Sequence, residues 1–225
     1  MNSTHDPSQT SPEIWDTFAS DPTTGMAILT GEGLVEYLNP QSVRLFFGDE
    51  REPESVIGKT LFEIGFPQEW ANERIALIHD VISTGKRRLL RTVWNGKQQF
   101  SWISPIGGDE ESPTDRVLVV TRRIPTSHEE EFLIGDEIEV VHSGVICLGE
   151  LSALTPRELQ VLALLGQGLS IKDIAATLHR SVKTIENHRE SIGRKLKRTR
   201  GVELAGIARS AGLTVEDSKR QRMGK

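Results

Sequence analysis

The stretch Leu154–Lys197, LTPRELQVLALLGQGLSIKDIAATLHRSVKTIENHRESIGRKLK, decides how the C-terminal part of this chain folds. Thr155-Pro156-Arg157-Glu158 is a helix start. Thr155 caps free N–H groups, Pro156 takes the first helical position, where no N–H is needed, and Glu158 closes a capping box. Leu159, Val161, Leu162 and Leu165 make an apolar face, and Gly166 and Gly168 end the helix. Ser170, with Asp173 three residues on, caps a second helix whose inner face is Ile174, Ala175 and Leu178. His179-Arg180 turns the chain, and Ser181 caps a third helix, predicted over Val182–Lys197. Val182, Ile185, Ile192 and Leu196 form its core-facing stripe. A fourth helix is predicted over Val202–Ala211 and ends at Gly212. Two short helices joined by a tight turn, the second longer and basic, read as a helix-turn-helix, whose second helix suits the DNA major groove. The plainer reading of the same periodicity is a small helical bundle with a basic face.

The charge is split along the chain. Residues 1–149 sum to −12 and residues 150–225 to +7. Only the second part suits a polyanionic partner. No run of apolar residues approaches the length a bilayer needs, and Met1–Glu13 lacks the basic and apolar regions of a secretory signal. The single cysteine, Cys147, has no disulfide partner and reads as a small apolar core residue. No membrane association and a cytoplasmic, reducing location are the expectation.

From Leu154-Thr155-Pro156-Arg157-Glu158 through Val161-Leu162, Gly168-Leu169-Ser170, Ile174-Ala175 and Ser181–Arg189 to Ile192 and Arg194-Lys195-Leu196, the chain closely resembles the LuxR/GerE/FixJ-type DNA-binding domain. The resemblance implies an all-α four-helix domain over 151–215, followed by a polar tail at 216–225. It implies that the helix after Ser181 is the recognition helix and that Glu186, Asn187 and Glu190 occupy base-reading positions, beside Lys183, Thr184 and Arg189. Some family members carry Lys or Val where this chain has carboxylates. Asn187 can pair with adenine, and Glu186 or Glu190 can accept from cytosine N4. Carboxylates are repelled by phosphates, so affinity falls to the phosphate candidates Lys183, Thr184, Arg189, Arg194, Lys195 and Lys197. The family also implies a homodimer formed through the fourth helix. Leu204, Ile207 and Ala208 are its candidates, with core and interface roles both open.

The N-terminal part reads differently. Residues 1–20 are expected to be a disordered tail with a short leading helix at Pro12–Ala19. Met26–Leu29 and Leu34–Leu38 read as strands around a Thr30–Gly33 turn, and Asn39-Pro40 opens a helix. A longer helix at Asn72–Thr84 ends at Gly85. Strands follow at Arg88–Trp94, Gln98–Ser104 and Arg116–Arg122, the first two joined by an Asn95-Gly96 hairpin turn. Two strands, helices, then an antiparallel run make an α+β domain at 21–124. Residues 125–150 are assigned to a linker, in which Phe132–Gly149 reads as extended or strand-like. The order, with Gly25–Leu29, Glu36-Tyr37-Leu38-Asn39-Pro40, Leu45-Phe46-Phe47-Gly48, Ile57–Leu61 and Ser83-Thr84-Gly85-Lys86, is similar to a PAS domain. That implies a sensory or dimerising module with a cavity for an unknown small ligand, or a platform for an upstream signalling protein.

No cofactor is predicted. Flavin-bonding PAS domains need a cysteine in the helical segment, where this chain has none. A haem PAS domain needs an axial ligand, and the lone His79 suits surface or core better. A phosphorylatable receiver domain needs a parallel sheet with an acidic pair, an Asp and a Lys, a set missing from 25–124. The pairs Glu110-Glu111 and Glu129–Glu131 sit in apparent loops, His128 and His142 lack metal-like spacing, and no Walker, GxSxG or HExxH motif occurs. No catalytic residue is assigned. The expected function is a sequence-specific DNA-binding transcription regulator, with a protein-interaction adaptor of weak DNA affinity as the alternative.

Overall fold

The computed structural model describes residues 12–108, 114–124, 138–198 and 200–223. The expectations for residues 1–11, the acidic pairs Glu110-Glu111 and Glu129–Glu131, His128, and linker residues 125–137 lie outside them.

Helix α1 (Pro12–Ala19) precedes strands β1 (Gly25–Thr30) and β2 (Val35–Leu38). Asn39 then does two jobs at once. Its Oδ1 accepts from the Ser42 N–H at 2.9 Å, capping α2 (Pro40–Phe47), and from the Met26 N–H at 2.9 Å, tying the helix start to β1. Helix α3 (Gln68–Thr84) begins four residues earlier than its apolar pattern predicts, because Trp70 and Ala71 are buried against the sheet, and it stops at Gly85 with φ 65°. Strands β3 (Arg88–Trp94), β4 (Lys97–Ile106) and β5 (Arg116–Arg122) complete an antiparallel run. Asn95 (φ 50°) and Gly96 (φ 70°) form the tight turn between β3 and β4. The sheet order is β2-β1-β5-β4-β3, with α2 and α3 over one face. The core between them holds Leu38, Phe66, Trp70, Ile78, Leu90 and Ile103.

One stretch fits the strand-like reading of Phe132–Gly149, and another departs from expectation. Within the segment assigned to a linker, β6 (Glu139–His142) pairs with β3 in parallel, the one parallel partner in that sheet among the described residues. The chain continues into β7 (Val145–Ile146), whose Ile146 is fully buried. The predicted polar tail is also built in. A short turn at Val215–Lys219 places Asp217 beneath the surface, and β8 (Gln221–Arg222) pairs with β7. Buried partners explain both. Val140, Val141 and Ile146 have apolar surface to cover, and Asp217 meets the equally buried Arg91 of β3 at 2.7 Å.

Alternation predicts one covered face on β3, yet all seven of its residues are buried. Leu90 and Trp94 point into the sheet-helix core. Arg91 and Val93 point the other way, under the C-terminal helices, where Val93 joins Ile146, Leu148 and Leu162 in a second core.

That second core is closed by α4 (Pro156–Gly166), α5 (Ile171–Thr177), α6 (Val182–Lys195) and α7 (Gly201–Ala211). Helix α6 stops two residues short of its predicted end because Lys197 turns left-handed at φ 54°. Helix α7 ends at Gly212, with φ 60° and no room for a Cβ, which would lie 2.9 Å from Gln98 Cβ on β4. Gly212→Ala is therefore expected to cost about 2 kcal/mol. A thermal melt checks this, and an unchanged midpoint would contradict the close approach.

Candidate nucleic-acid interface

The helix-turn-helix is assembled from three caps. Thr155 Oγ1 accepts from the Glu158 N–H at 3.2 Å, while Glu158 Oε2 accepts from the Thr155 N–H at 2.7 Å. Ser170 and Asp173 repeat the box on α5, and Ser181 Oγ accepts from the Thr184 N–H at 3.1 Å on α6. Between α5 and α6, His179 takes φ 52°, the left-handed step that makes the turn tight. Arg157 braces the turn from α4 by donating from Nη2 to the Leu178 carbonyl at 2.9 Å.

Helix α6 rests on the core through the fully buried Ile185 and Ile192. On its opposite side, Lys183, Asn187, Glu190 and Arg194 recur at helical spacing and are all exposed. Glu186 flanks them, half-buried, with its carboxylate 3.7 Å from Lys183 Nζ. Thr184 is half-buried, its Oγ1 2.8 Å from Ser181 Oγ. Arg189 and Lys197 are exposed. Exposed Arg198 and Arg200 extend the cationic surface beyond the predicted set. The run Lys195–Arg200 was their signal in the sequence, and the predicted helix end at Lys197 cut it off.

Two expectations need correction, at Lys195 and Val182, and the roles left open at Leu204 and Ala208 are decided. Lys195 is not a free cation: its Nζ lies 2.6 Å from Glu158 Oε2, across from α6 to α4. Burial pushes the Glu158 carboxyl up, but hydrogen bonds from Lys195, Thr155 and Ser191 outweigh this and hold it at about 2. Leu204 and Ala208 are 3% and 2% exposed and belong to the core of their own domain. Of the three dimer candidates only Ile207 keeps partial exposure, and α7 instead presents Val202, 81% exposed. Val182, placed on the core stripe of α6, is 40% exposed, because that stripe begins at Ile185.

In the N-terminal domain a cavity of about 70 Å³ lies between sheet and helices, walled by Leu38, Phe46, Phe66, Trp70, Arg74 and Ile103 among others. His79 sits on the exposed side of α3, away from that wall. Cys147 is half-buried beside the N-terminal core. Among the described residues no group of three or more His, Cys, Asp or Glu could hold a metal ion. None of the described helices is long and apolar enough to cross a membrane.

Residues 152–208 match the family model of GerE, the luxR family of bacterial regulatory proteins. The C-terminal domain is a LuxR-type helix-turn-helix domain. The response regulator RamR of Streptomyces coelicolor is 35% identical over 106 residues, 47% of this chain and 49% of RamR. BvgA of Bordetella pertussis, a putative positive transcription regulator of virulence factors, is 43% identical over 63 residues, 28% of this chain and 30% of BvgA. The chain thus spans half or less of the curated relatives it matches. Across its whole length it shares the fold of VqmA from Vibrio cholerae, seen in a complex with ligand and DNA. The TM-score is 0.53 at 19% identity, over 96% of both chains. The LuxR-type domain is thus joined to an N-terminal PAS-like α+β domain, as its sheet order and helix placement indicate.

Proposed function

We propose that this chain is a sequence-specific DNA-binding transcription regulator that lays α6 in the major groove and is regulated or dimerised through its PAS-like domain. The observation that carries the reading is the exposed stripe Lys183, Asn187, Glu190 and Arg194 on a helix backed by buried Ile185 and Ile192. The stripe belongs to a LuxR-type domain and to the basic end of an acidic chain. In this reading Asn187 and the two glutamates Glu186 and Glu190 read base edges. Lys183, Thr184, Arg189, Arg194 and Lys197 grip phosphates, joined by Arg198 and Arg200. Two copies pair so that their recognition helices sit one DNA turn apart, and a signal acts by changing that spacing. Val202 and Ile207 of α7 are the proposed pairing surface.

Selection of preferred sites from random double-stranded DNA tests this. A repeated half-site at one-turn spacing is expected, with affinity that falls steeply as salt rises. No enrichment at low salt would remove the reading and favour the adaptor. Asn187→Ala is expected to relax the preference at one base position, losing about 1–3 kcal/mol of discrimination there. Retention of the full preference would take Asn187 out of the readout.

A further inference from the structure

The cavity under the PAS-like sheet has unspent hydrogen-bond donors in its wall. Arg74 and Trp70 stand one helical turn apart on α3, with the Arg74 guanidinium carbon 4.7 Å over the Trp70 ring. Both are buried, at 7% and 5% exposure. Arg74 Nη1 donates to the Glu73 carboxylate, but Arg74 Nη2 and Trp70 Nε1 are buried without a hydrogen-bond partner among the described residues. An unmade bond from such a group is costly, and the cost recurs here twice in one wall. Elsewhere the lining is aliphatic and aromatic apart from Ser42, Ser101 and Thr121. Ser42 already donates to the Met26 carbonyl, and the Ser101 and Thr121 hydroxyls bond to each other at 2.9 Å.

We infer that this cavity binds a small uncharged molecule with an apolar body and a hydrogen-bond acceptor, such as a carbonyl, which takes the N–H groups of Arg74 and Trp70. This deepens the sensor half of the function proposed above and names the ligand class. Charge decides between an acceptor that is neutral and one that is ionised. Glu73 already neutralises Arg74, so a carboxylate in this apolar wall would be a buried charge with no counter-charge of its own. Burial pulls the Arg74 pKa down, and Glu73 offsets only part of it. Size decides against a bulky cofactor: the cavity holds about 70 Å³.

The same residues reach the seam between the domains. The Glu73 carboxylate that holds Arg74 also accepts from Ser143 Oγ at 2.6 Å and from the Gly144 N–H at 2.6 Å, at the step from β6 to β7. Arg220, beside β8, donates to the Ser143 carbonyl. A ligand that draws on Arg74 therefore acts one ion pair away from the strands on which the LuxR-type domain rests.

The test titrates the full chain, without DNA, with three probes of similar size: cyclobutanone, methylenecyclobutane and cyclobutanecarboxylate. The readout is the indole N–H resonance of Trp70, identified by its loss in Trp70→Phe. Cyclobutanone is expected to shift that resonance saturably, the hydrocarbon to bind at least tenfold more weakly, and the carboxylate not to bind. Trp70→Phe keeps an aromatic side chain, though a smaller one, removes one donor and is expected to weaken ketone binding about tenfold, read by calorimetry. A hydrocarbon that binds equally, a carboxylate that binds more tightly, or no saturable shift at all would overturn the inference. The probe series on the unaltered chain decides even if the variant fails to fold. Because no DNA is present, failure here leaves the DNA-binding reading to its own test.

Discussion

Arg91→Met lowers the melting midpoint by roughly 10 °C at neutral pH, the largest stability loss expected from one side chain here. The Arg91 side chain is 1% exposed and that of its partner Asp217 is 2%. The guanidinium donates to both carboxylate oxygens, at 2.8 and 2.7 Å, to the Gly212 carbonyl at 3.1 Å, and from Nε to Gln98 Oε1 at 2.7 Å. Asp217 is also engaged by Arg220 at 2.9 Å. Burial pushes its carboxyl up, but Arg91, the Thr214 N–H and Arg220 pull harder, so it stays below the ordinary range. Without Arg91 the carboxylate remains buried with Arg220, itself only 15% exposed, as its charged partner and Thr214 as its other donor. Breaking a buried pair from one side costs about 3–5 kcal/mol, and each of these shifts the midpoint of a chain this size by about 2–4 °C. Replacing both members, as Arg91→Met with Asp217→Leu, is expected to recover part of the loss, since the buried carboxylate is gone although Arg220 then loses its ion-pair partner. A single variant that melts with the parent would show that the pair adds nothing. The pair also joins the PAS-like sheet to the end of the LuxR-type domain, so the variant is expected to loosen residues 214–223 to proteolysis first.

Lys195→Met is the second large effect, and it contrasts with its neighbour. Lys195 ties α6 to α4 through Glu158, whose side chain is 4% exposed, whereas Arg194 is exposed on the proposed DNA face. The Glu158 carboxyl ordinarily titrates near 4.5 and is held here at about 2, a difference worth about 3 kcal/mol at neutral pH. Lys195→Met is therefore expected to remove about 2–3 kcal/mol of stability, read by urea unfolding. The pH course follows from the direction of the shift. Between about 2 and 4.5 the unfolded chain binds the proton and the folded one does not, so this stability is complete above that window and is lost as pH falls through it. The variant should lose part of that slope, since the Thr155 and Ser191 hydrogen bonds remain. Arg194→Ala should leave unfolding unchanged and weaken DNA binding at every sequence alike. If instead Lys195→Met weakened DNA binding with no change in stability, Lys195 would serve the DNA face and not the α6–α4 contact.

Local chemistry was legible where a residue acts on its own few neighbours. The boxes at Thr155–Glu158 and Ser170–Asp173, the Ser181 cap, the Asn95-Gly96 turn and the bounds of β3 and β5 all match the structure. Each depends on bonds made within three or four residues, so the spacing carries the information. The exposed Lys183, Asn187, Glu190 and Arg194 were legible for the same reason, since helical periodicity puts them opposite Ile185 and Ile192. Lys195 was misread because its partner lies 37 residues away. Leu204 and Ala208 were left open because an apolar stripe looks alike whether it meets its own core or a second chain.

By itself, then, the order of residues determined the two kinds of domain, the helix starts and turns, and the acidic-to-basic split, all properties of short range or of simple sums. Only the tertiary structure decided that Glu139–His142 pairs with β3 and Val145–Ile146 with β8, and that both faces of β3 are covered. It alone paired Arg91 with Asp217 across 126 positions. The reason is that burial of charge and choice of strand partner depend on which distant surfaces come to share a space from which water is excluded, and no local spacing encodes that.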